Sequence, residues 1–265
     1  LEDQYAYDSL SRIAKARFDQ AGEAGTQPLV VRGLREKSYE IDGTNNRRSV
    51  EHVDSVGAVS STAYATNAVH EYTSVGMATL RYDRNGNLVG DGNVTGNKER
   101  TFRYDSLNRL RSITRDGGGA PVLFAYDALG RRTARIQSSA SVEFFHDGLR
   151  CIRETGSSSG DRREYVYGTG LTDVVLSETI RGTQKEKYFH HSGMWDSTLA
   201  LTNEAGEVVD RALYDDYGRP FFQDQTAHDN AGNPVLFQGQ RYDPGTQLYY
   251  YRARFYDPLL GRFLQ

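Results

Sequence analysis

A Tyr-Asp dipeptide recurs at a fixed interval in the chain. The pairs Tyr82-Asp83, Tyr104-Asp105 and Tyr126-Asp127 are each separated by 22 residues. An alternating aromatic and polar stretch precedes each pair, and Asn or Gly stands three residues after each Asp. Self-similarity at a fixed period indicates a repeat protein, in which each copy is one supersecondary unit packed against its neighbours.

Each copy of the repeat predicts a β-hairpin. Alternation such as that at residues 101–104 is typical of a half-buried strand. The Asp then begins a turn, because its carboxylate accepts hydrogen bonds from backbone N–H groups two residues on. Gly86, Asn108 and Gly130 follow where the chain needs a positive φ. Second strands are predicted at residues 109–114 and 131–137.

Weaker copies extend the pattern, and they lie at residues 6–12, 39–47, 64–72 and 145–150. A single hairpin is marginal in water, so the copies are expected to pair side by side. The result is a long, twisted sheet with tyrosines on one face and arginines that stack on them or pair with Asp and Glu. The predicted fold class is therefore all-β, a coiling strip of β-hairpins.

Composition excludes several classes of protein. No apolar run approaches the roughly 18 residues that a membrane-spanning helix needs. Aromatic residues make up 11% of the chain and the net charge is only −3, which disfavours disorder and a dedicated nucleic-acid binder. The single cysteine, Cys151, excludes an internal disulfide and a Cys-rich zinc site. No signal peptide opens the chain, and both ends are expected to be cuts in a longer polypeptide.

Two metal hypotheses are weak. Residues 83–87 resemble the start of an EF-hand loop, but Leu88 and Val94 stand where that loop needs Gly and Glu. An Asn-Gly hairpin turn is favoured instead. The adjacent His190 and His191 would point to opposite faces of a strand, so a site with His146 and Asp196 is not favoured.

Catalytic hypotheses are also weak. Cys151 lacks a recognisable base and is more typical of a small buried residue. A glycosidase-like carboxylate pair is conceivable among Asp215, Asp216, Asp243 and Asp257, yet turn formation explains these residues equally well. We therefore predict no catalytic, metal-binding or cofactor-binding residue.

Two runs near the end of the chain have alternative interpretations. Residues 249–251 are three tyrosines, which could form a sugar-stacking surface or, on at least one side, a core. Residues 236–239 read LFQG, like part of a viral protease tag, but they are interpreted as native sequence.

The Tyr-Asp octets resemble the YD repeats of Rhs proteins, teneurins and the C components of insecticidal Tc toxins. The last quarter is more specific: NPVLFQGQRYDP at 233–244, QLYYYRARFYDP at 247–258 and LGRF at 260–263 resemble the Rhs repeat-associated core motif. Upstream, EYVYG, AGEVV and YDDYGRP (164–168, 205–209 and 214–220) are similar to the stretch before that motif. Residues 189–197 depart from the family pattern.

The resemblance implies a spiralling shell of hairpins over residues 1–230 and a core motif that winds inward over residues 231–265. In many members an aspartate-containing segment then supports self-cleavage, and here that segment would begin after Gln265. The residues expected to build the structure are Tyr82, Asp83, Tyr104, Asp105, Tyr126, Asp127, Tyr242, Asp243, Tyr249, Tyr251, Arg254, Phe255, Tyr256, Asp257 and Phe263.

The function implied by the resemblance is structural and not enzymatic. The chain would be a shell segment of an Rhs-type exported toxin that encloses and delivers a C-terminal effector. Expected partners are the rest of the same polypeptide, the effector cargo and a secretion system, with no cofactor and no nucleic acid. The expected location is secreted or at the cell surface. The alternative is an adhesive surface module that binds glycans or partner proteins.

Overall fold

The computed structural model describes residues 3–18, 34–96, 98–157, 160–222 and 224–265. Nearly all regular structure in these ranges is antiparallel β-strand, so the predicted all-β strip of hairpins is confirmed. The chain divides into two compact units, residues 1–99 and 100–265. No helix in the described ranges is long and apolar enough to cross a membrane.

The first unit contains strands β1 to β9. They are β1 Gln4–Tyr7, β2 Ile13–Arg17, β3 Leu34–Ile41, β4 Arg47–Asp54, β5 Val59–Thr66, β6 Tyr72–Val75, β7 Ala78–Thr79, β8 Arg81–Tyr82 and β9 Leu88–Gly90. Strands β1 to β7 form one sheet in chain order, and β8 pairs with β9. Phe18, Val50 and Tyr72 are among the buried side chains of this unit.

The second unit contains a long sheet, one helix and a small sheet. The long sheet comprises, in chain order, β10 Arg100–Tyr104, β11 Leu110–Arg115, β12 Val122–Tyr126, β13 Arg132–Gln137, β14 Ala140–Asp147, β15 Arg150–Gly156, β16 Arg162–Tyr167, β17 Val174–Arg181, β18 Gln184–Ser192, β19 Thr198–Thr202, β20 Val208–Tyr214 and β21 Pro220–Phe222. Helix α1 follows at Gln225–Ala231, and the small sheet is β22 Arg241–Asp243, β23 Leu248–Tyr251, β24 Arg254–Asp257 and β25 Arg262–Phe263.

The hairpin turns follow one geometric rule. The Asp that ends the first strand is followed, three residues later, by a residue with positive φ, which is Gly86, Asn108 or Gly130 in the three clear copies. The same position has positive φ after Asp8, Asp42 and Asp54, and after the asparagines at 67 and 203. The weaker copy at 145–150 is also a hairpin, but it turns through only two residues, 148 and 149.

Helix α1 is an addition to the all-β prediction. The Asp224 side chain accepts a hydrogen bond from the Ala227 N–H at the helix start, and Gly232 adopts a left-handed conformation at its end. Asp and Gly at these positions are standard helix boundaries. We did not predict a helix here because the seven residues carry only a short, weak pattern between two β regions.

Candidate functional site

The repeated Asp organises its own turn. Asp105 Oδ1 accepts hydrogen bonds from the N–H groups of Leu107 and Arg109, each at 3.0 Å, and Arg109 Nε donates to Oδ2 at 2.8 Å. Asp127 makes the same contacts with residues 129 and 131. Partial burial raises the pKa of Asp105, but the hydrogen bonds from Arg109 and Leu107 outweigh it, so the pKa lies below its usual value.

The repeated Tyr joins one hairpin to the preceding one. Tyr126 donates its hydroxyl hydrogen bond to the Leu110 carbonyl at 2.6 Å, and Tyr167 and Tyr214 donate in the same way to the carbonyls of residues 151 and 198. Every acceptor lies 16 residues before its tyrosine. Stacking of the ring and hydrogen bonding of the hydroxyl make the side chain a link between neighbouring repeats.

An Arg from the preceding hairpin completes this link. The Arg109 guanidinium lies over the Tyr126 ring, 5.1 Å from its centroid, and donates to the Asp127 carbonyl at 3.4 Å. Arg150 lies over Tyr167 in the same manner, at 5.3 Å. The expected stacking of arginines on tyrosines thus occurs between successive repeats. The acceptor carbonyls belong to Leu110, Cys151 and Thr198, which share no residue type, so the sequence carried no signal for the hydroxyl contacts.

The aromatic residues of the core motif form a buried cluster. Tyr249 is 0% exposed, its ring lies 4.9 Å from that of Tyr242, and its hydroxyl donates to the Gly218 carbonyl at 2.8 Å. Tyr256 donates to the neighbouring carbonyl of residue 217 at 2.9 Å. Tyr251 contacts Tyr256 edge-on at 5.6 Å. These residues pack the small sheet against the turn that follows β20.

The opposite face of the small sheet is also buried. Phe255 packs on Phe124 of β12 with ring centroids 4.9 Å apart, and the Tyr250 hydroxyl accepts from the Arg132 N–H at 2.9 Å. Consequently the tyrosines of β23 do not form an exposed sugar-stacking surface. Phe263 lies at the edge of the cluster and is 36% exposed, and the guanidinium of Arg254 covers it at 3.7 Å.

Ion pairs tie the core motif to the long sheet. Asp257 binds Arg100 at 2.5 Å, and each side chain is only 1% exposed. Asp243 binds Arg135 at 2.5 Å. Arg241 binds Glu154 at 2.7 Å, and its Nη1 also donates a hydrogen bond to the Tyr165 hydroxyl oxygen at 3.2 Å. The partners are far apart in sequence, so these contacts fix the core motif on strands β10 to β15.

The conceivable catalytic groups are engaged elsewhere. Asp215 accepts from the N–H groups of residues 217 and 219 in a turn, whereas Asp243 and Asp257 pair with different arginines. Asp216 also has an interaction partner. Burial raises the pKa of the Cys151 thiol, which disfavours a reactive thiolate.

The histidines do not form a metal site within the described ranges. His190 Nε2 lies 3.0 Å from Ser177 Oγ, and His191 Nε2 lies 2.9 Å from Thr202 Oγ1. No group of three or more His, Cys, Asp or Glu side chains in those ranges could hold a metal ion. Burial lowers the pKa of His190 to about 3, so its ring is neutral near pH 7.

One buried polar pair was not predicted. His228 of α1 lies with Nδ1 2.8 Å from Asp210 Oδ2 of β20, and Phe222 stacks on its ring with centroids 3.5 Å apart. This pair holds α1 against the sheet. The two residues belong to no repeat and no local motif, so the sequence carries no signal for their contact.

Segment 236–239 lies inside the fold. Leu236 is fully buried in the cluster that contains Tyr214 and Tyr249, and residues 237–239 form a 3-10 turn. Its interpretation as native sequence fits this position.

Comparisons with known proteins agree with the repeat and the geometry. A family model described as Teneurin YD-shell matches residues 1–265. The chain is 28% identical over 229 residues to the tRNA nuclease WapA of Bacillus subtilis. This match covers 85% of the chain and 9% of WapA. It is 32% identical over 215 residues to double-stranded DNA deaminase toxin A of Burkholderia cenocepacia, covering 70% of this chain and 15% of the toxin.

Among solved structures, the crystal structure of TcdB2-TccC3 without its hypervariable C-terminal region matches with a TM-score of 0.73. The identity is 15%, and the match covers 99% of this chain and 14% of that structure. The chain therefore spans less than a sixth of the length of each of these proteins. On its repeat, its fold and the match over its full length, the chain belongs to the Teneurin YD-shell family.

Proposed function

We propose that the chain is a shell segment of an Rhs-type polymorphic toxin and that the shell encloses and delivers a C-terminal effector. The observation that carries this proposal is the way in which the core motif is held. Ion pairs and aromatic contacts attach it to the hairpin sheet, and two of the four carboxylates considered for catalysis, Asp243 and Asp257, serve as anchors. Such an arrangement supports containment and not turnover of a substrate.

The relatives support a structural role for the shared segment. One is named a tRNA nuclease and another a double-stranded DNA deaminase toxin, yet both are similar to this same segment. Because proteins with different activities share this segment, neither the nuclease nor the deaminase activity is expected to reside in it. The shell fold of TcdB2-TccC3 was likewise solved without a hypervariable C-terminal region.

We further propose that the parent protein is exported and that it is cleaved downstream of Gln265, so that the shell retains a separate C-terminal piece. The division into a shell at residues 1–230 and a core motif at residues 231–265 belongs to this proposal. The core motif would act as the element that closes one end of the shell. Its ion pairs with β10 and β13 supply the required attachment.

The adhesive alternative is not favoured. The Tyr-rich run cannot supply a glycan-stacking face, because Tyr249, Tyr250 and Phe255 are buried. Exposed rings such as Trp195 and Phe189 lie elsewhere, so it is the toxin among the relatives that favours the shell of a toxin.

The test uses the parent polypeptide with its natural C-terminus. Intact-mass analysis and size-exclusion chromatography should show a discrete break after Gln265 and two pieces that elute together. Asp257→Asn should loosen the core motif and expose the C-terminal piece to added protease. The matched control is Asp105→Asn, which changes a turn carboxylate and should leave the piece protected. An intact parent without a protected C-terminal piece would contradict the proposal.

A further inference from the structure

One arginine occupies a position that is leucine in the two preceding repeats. Leu88, Leu110 and Arg132 each stand five residues after the Asp of their hairpin and are 22 residues apart. All three are buried, and Arg132 is only 5% exposed. Because leucine satisfies the same position in two neighbouring hairpins, the fold itself does not require a positive charge here.

The guanidinium of Arg132 has aromatic neighbours but no anion. It lies over the Tyr250 ring at 4.2 Å and the Phe144 ring at 4.4 Å. In the part of the chain that the structure describes, no carboxylate lies within 4.0 Å of it and its Nε has no hydrogen-bond acceptor. Burial of a charge without a pairing anion is costly, even where ring faces offset part of the cost.

A cavity of about 330 Å³ lies beside this guanidinium, partly open to solvent. We call it the Arg132 cavity. Its lining contains three guanidinium groups, those of Arg132, Arg135 and Arg241, and two carboxylates, those of Asp243 and Glu154. Arg135 pairs with Asp243, and Arg241 pairs with Glu154. Arg132 is the cation left over, so the lining carries one surplus positive charge.

A second guanidinium group beside Arg132 also has a donor without an acceptor. Arg241 uses Nη1 to bind Glu154, but its Nη2 is buried and has no acceptor within the described residues. Arg241 and Arg132 both line the cavity, and their guanidinium carbons lie 5.7 and 4.4 Å from the centroid of the Phe144 ring. Arg132 Nε and Arg241 Nη2 are both covered by protein atoms, so the part of Arg132 that is left for an oxygen anion in the cavity is its pair of Nη groups.

We propose that the Arg132 cavity binds a monovalent carboxylate on a short aliphatic stem, with Arg132 as its ion-pair partner. The single surplus charge suits a monoanion, since Glu154 and Asp243 in the wall would repel a second negative charge. The remaining lining, which includes Val142, Phe144 and Pro234, suits the stem. Such a group could be a free small carboxylate or a Glu side chain of a polypeptide.

The test titrates the 265-residue chain with sodium propionate at constant ionic strength. The readout is the ¹H–¹⁵N cross-peak of the Arg132 Nε–H, assigned by its disappearance in Arg132→Lys. We expect a saturable shift with a dissociation constant on the order of 1 mM, a parallel rise in Tm, and neither effect with propionamide. Inorganic phosphate should bind at least about tenfold more weakly, which corresponds to about 1.4 kcal/mol.

Two leucine variants form a matched pair. Arg132→Leu restores the residue of the neighbouring repeats, so it should fold, and its Tm should not respond to propionate. Arg47 stands at the same repeat position after Asp42 and lies over the Tyr39 and Tyr64 rings at 5.6 and 5.8 Å. Arg47→Leu therefore removes an equivalent stacked arginine from the first unit and should leave the propionate response intact.

The source of the carboxylate is distinguished with blocked tripeptides. Binding of acetyl-Gly-Glu-Gly-amide, but not of its Gln counterpart, would assign the cavity to a polypeptide side chain. Binding of propionate alone would assign it to free small carboxylates. A propionate response that does not saturate, or that persists in Arg132→Leu, would overturn the proposal and leave Arg132 as a purely ring-stacked residue.

Discussion

The hairpin repeats and the core motif use the same Tyr-Asp dipeptide in different ways. In the repeats, Asp105 binds the N–H two residues ahead and an Arg four residues ahead, so all its contacts are local. In the core motif, Asp257 binds the N–H groups two and three residues ahead, and its second oxygen binds Arg100, 157 residues away. The repeat therefore uses the carboxylate to shape a turn, and the core motif uses it to hold two distant segments together.

The backbone shows the same difference. The positive-φ residue lies three positions after Asp83, Asp105 and Asp127, but four positions after Asp243 and Asp257. The longer turn accompanies the different use of the carboxylate at Asp257, whose Oδ2 binds the distant Arg100. The same Tyr-Asp dipeptide thus gives a half-buried local clamp in the repeats and a buried anchor in the core motif.

The largest expected effect is in the anchor. Asp257→Asn leaves Arg100 buried without its carboxylate, so the free energy of unfolding should fall by about 3–5 kcal/mol. Urea denaturation monitored by circular dichroism measures the change. Asp105→Asn, in a turn that is partly exposed to water, is the control and should lose about 1 kcal/mol. Equal losses in the two variants would contradict the distinction between anchor and clamp.

Next comes the link between repeats. Tyr126→Ala removes a packed ring and a hydrogen bond, so the free energy of unfolding should fall by about 3 kcal/mol. Tyr126→Phe keeps the ring and removes only the bond to the Leu110 carbonyl, at a cost of about 1 kcal/mol. Thermal unfolding of both variants measures these effects. An unchanged Tm in Tyr126→Ala would remove Tyr126 from the structural residues.

Two turn glycines sharpen the comparison further. Gly130 and Gly218 both have positive φ three residues after an Asp. A Cβ at Gly130 meets nothing within 4 Å, whereas one at Gly218 overlaps the Phe237 ring that packs beside the core motif. We expect Gly218→Ala to destabilise the fold by about 2 kcal/mol more than Gly130→Ala. Similar losses measured by urea denaturation would indicate that Phe237 moves aside freely.

The smallest effect concerns pH. Hydrogen bonds hold the pKa of Asp105 in the folded chain below the value of about 3.9 in an unfolded chain. The carboxylate therefore stabilises the fold above about pH 4, and this contribution disappears as the pH falls through the folded-state pKa. Asp105→Asn should show a shallower loss of stability than wild type as the pH falls below about 4. An identical acid profile would mean that the clamp contributes nothing measurable.

The local rules were predictable from the sequence and the distant contacts were not. The turn at Asp105, the positive φ at Asn108 and the following strand all follow from residues close in sequence. Two further turns of the same geometry, after Asp54 and after the asparagine at 203, lack the preceding Tyr and were therefore missed. Their side chains still accept hydrogen bonds two and four residues ahead.

The anchors of the core motif carry no comparable signal. Nothing near Asp257 identifies Arg100 among many arginines, because the pairing depends on how the whole sheet places strand β10. The same holds for Asp243 with Arg135. The resemblance predicted that the core motif matters structurally, but the role of each side chain required the three-dimensional arrangement.

The tyrosine hydroxyls point back to earlier residues, and this direction determines which contacts can form while the chain is being synthesised. Each linking hydroxyl reaches a carbonyl that lies 16 residues earlier in the chain. A ribosome therefore releases the acceptor before the donor, and every new hairpin finds its partner already present. Asp257 is different, because its ion-pair partner, Arg100, is synthesised 157 residues earlier. Contacts that close such long loops form slowly, so the strip can assemble during synthesis while the attachment of the core motif is its last step.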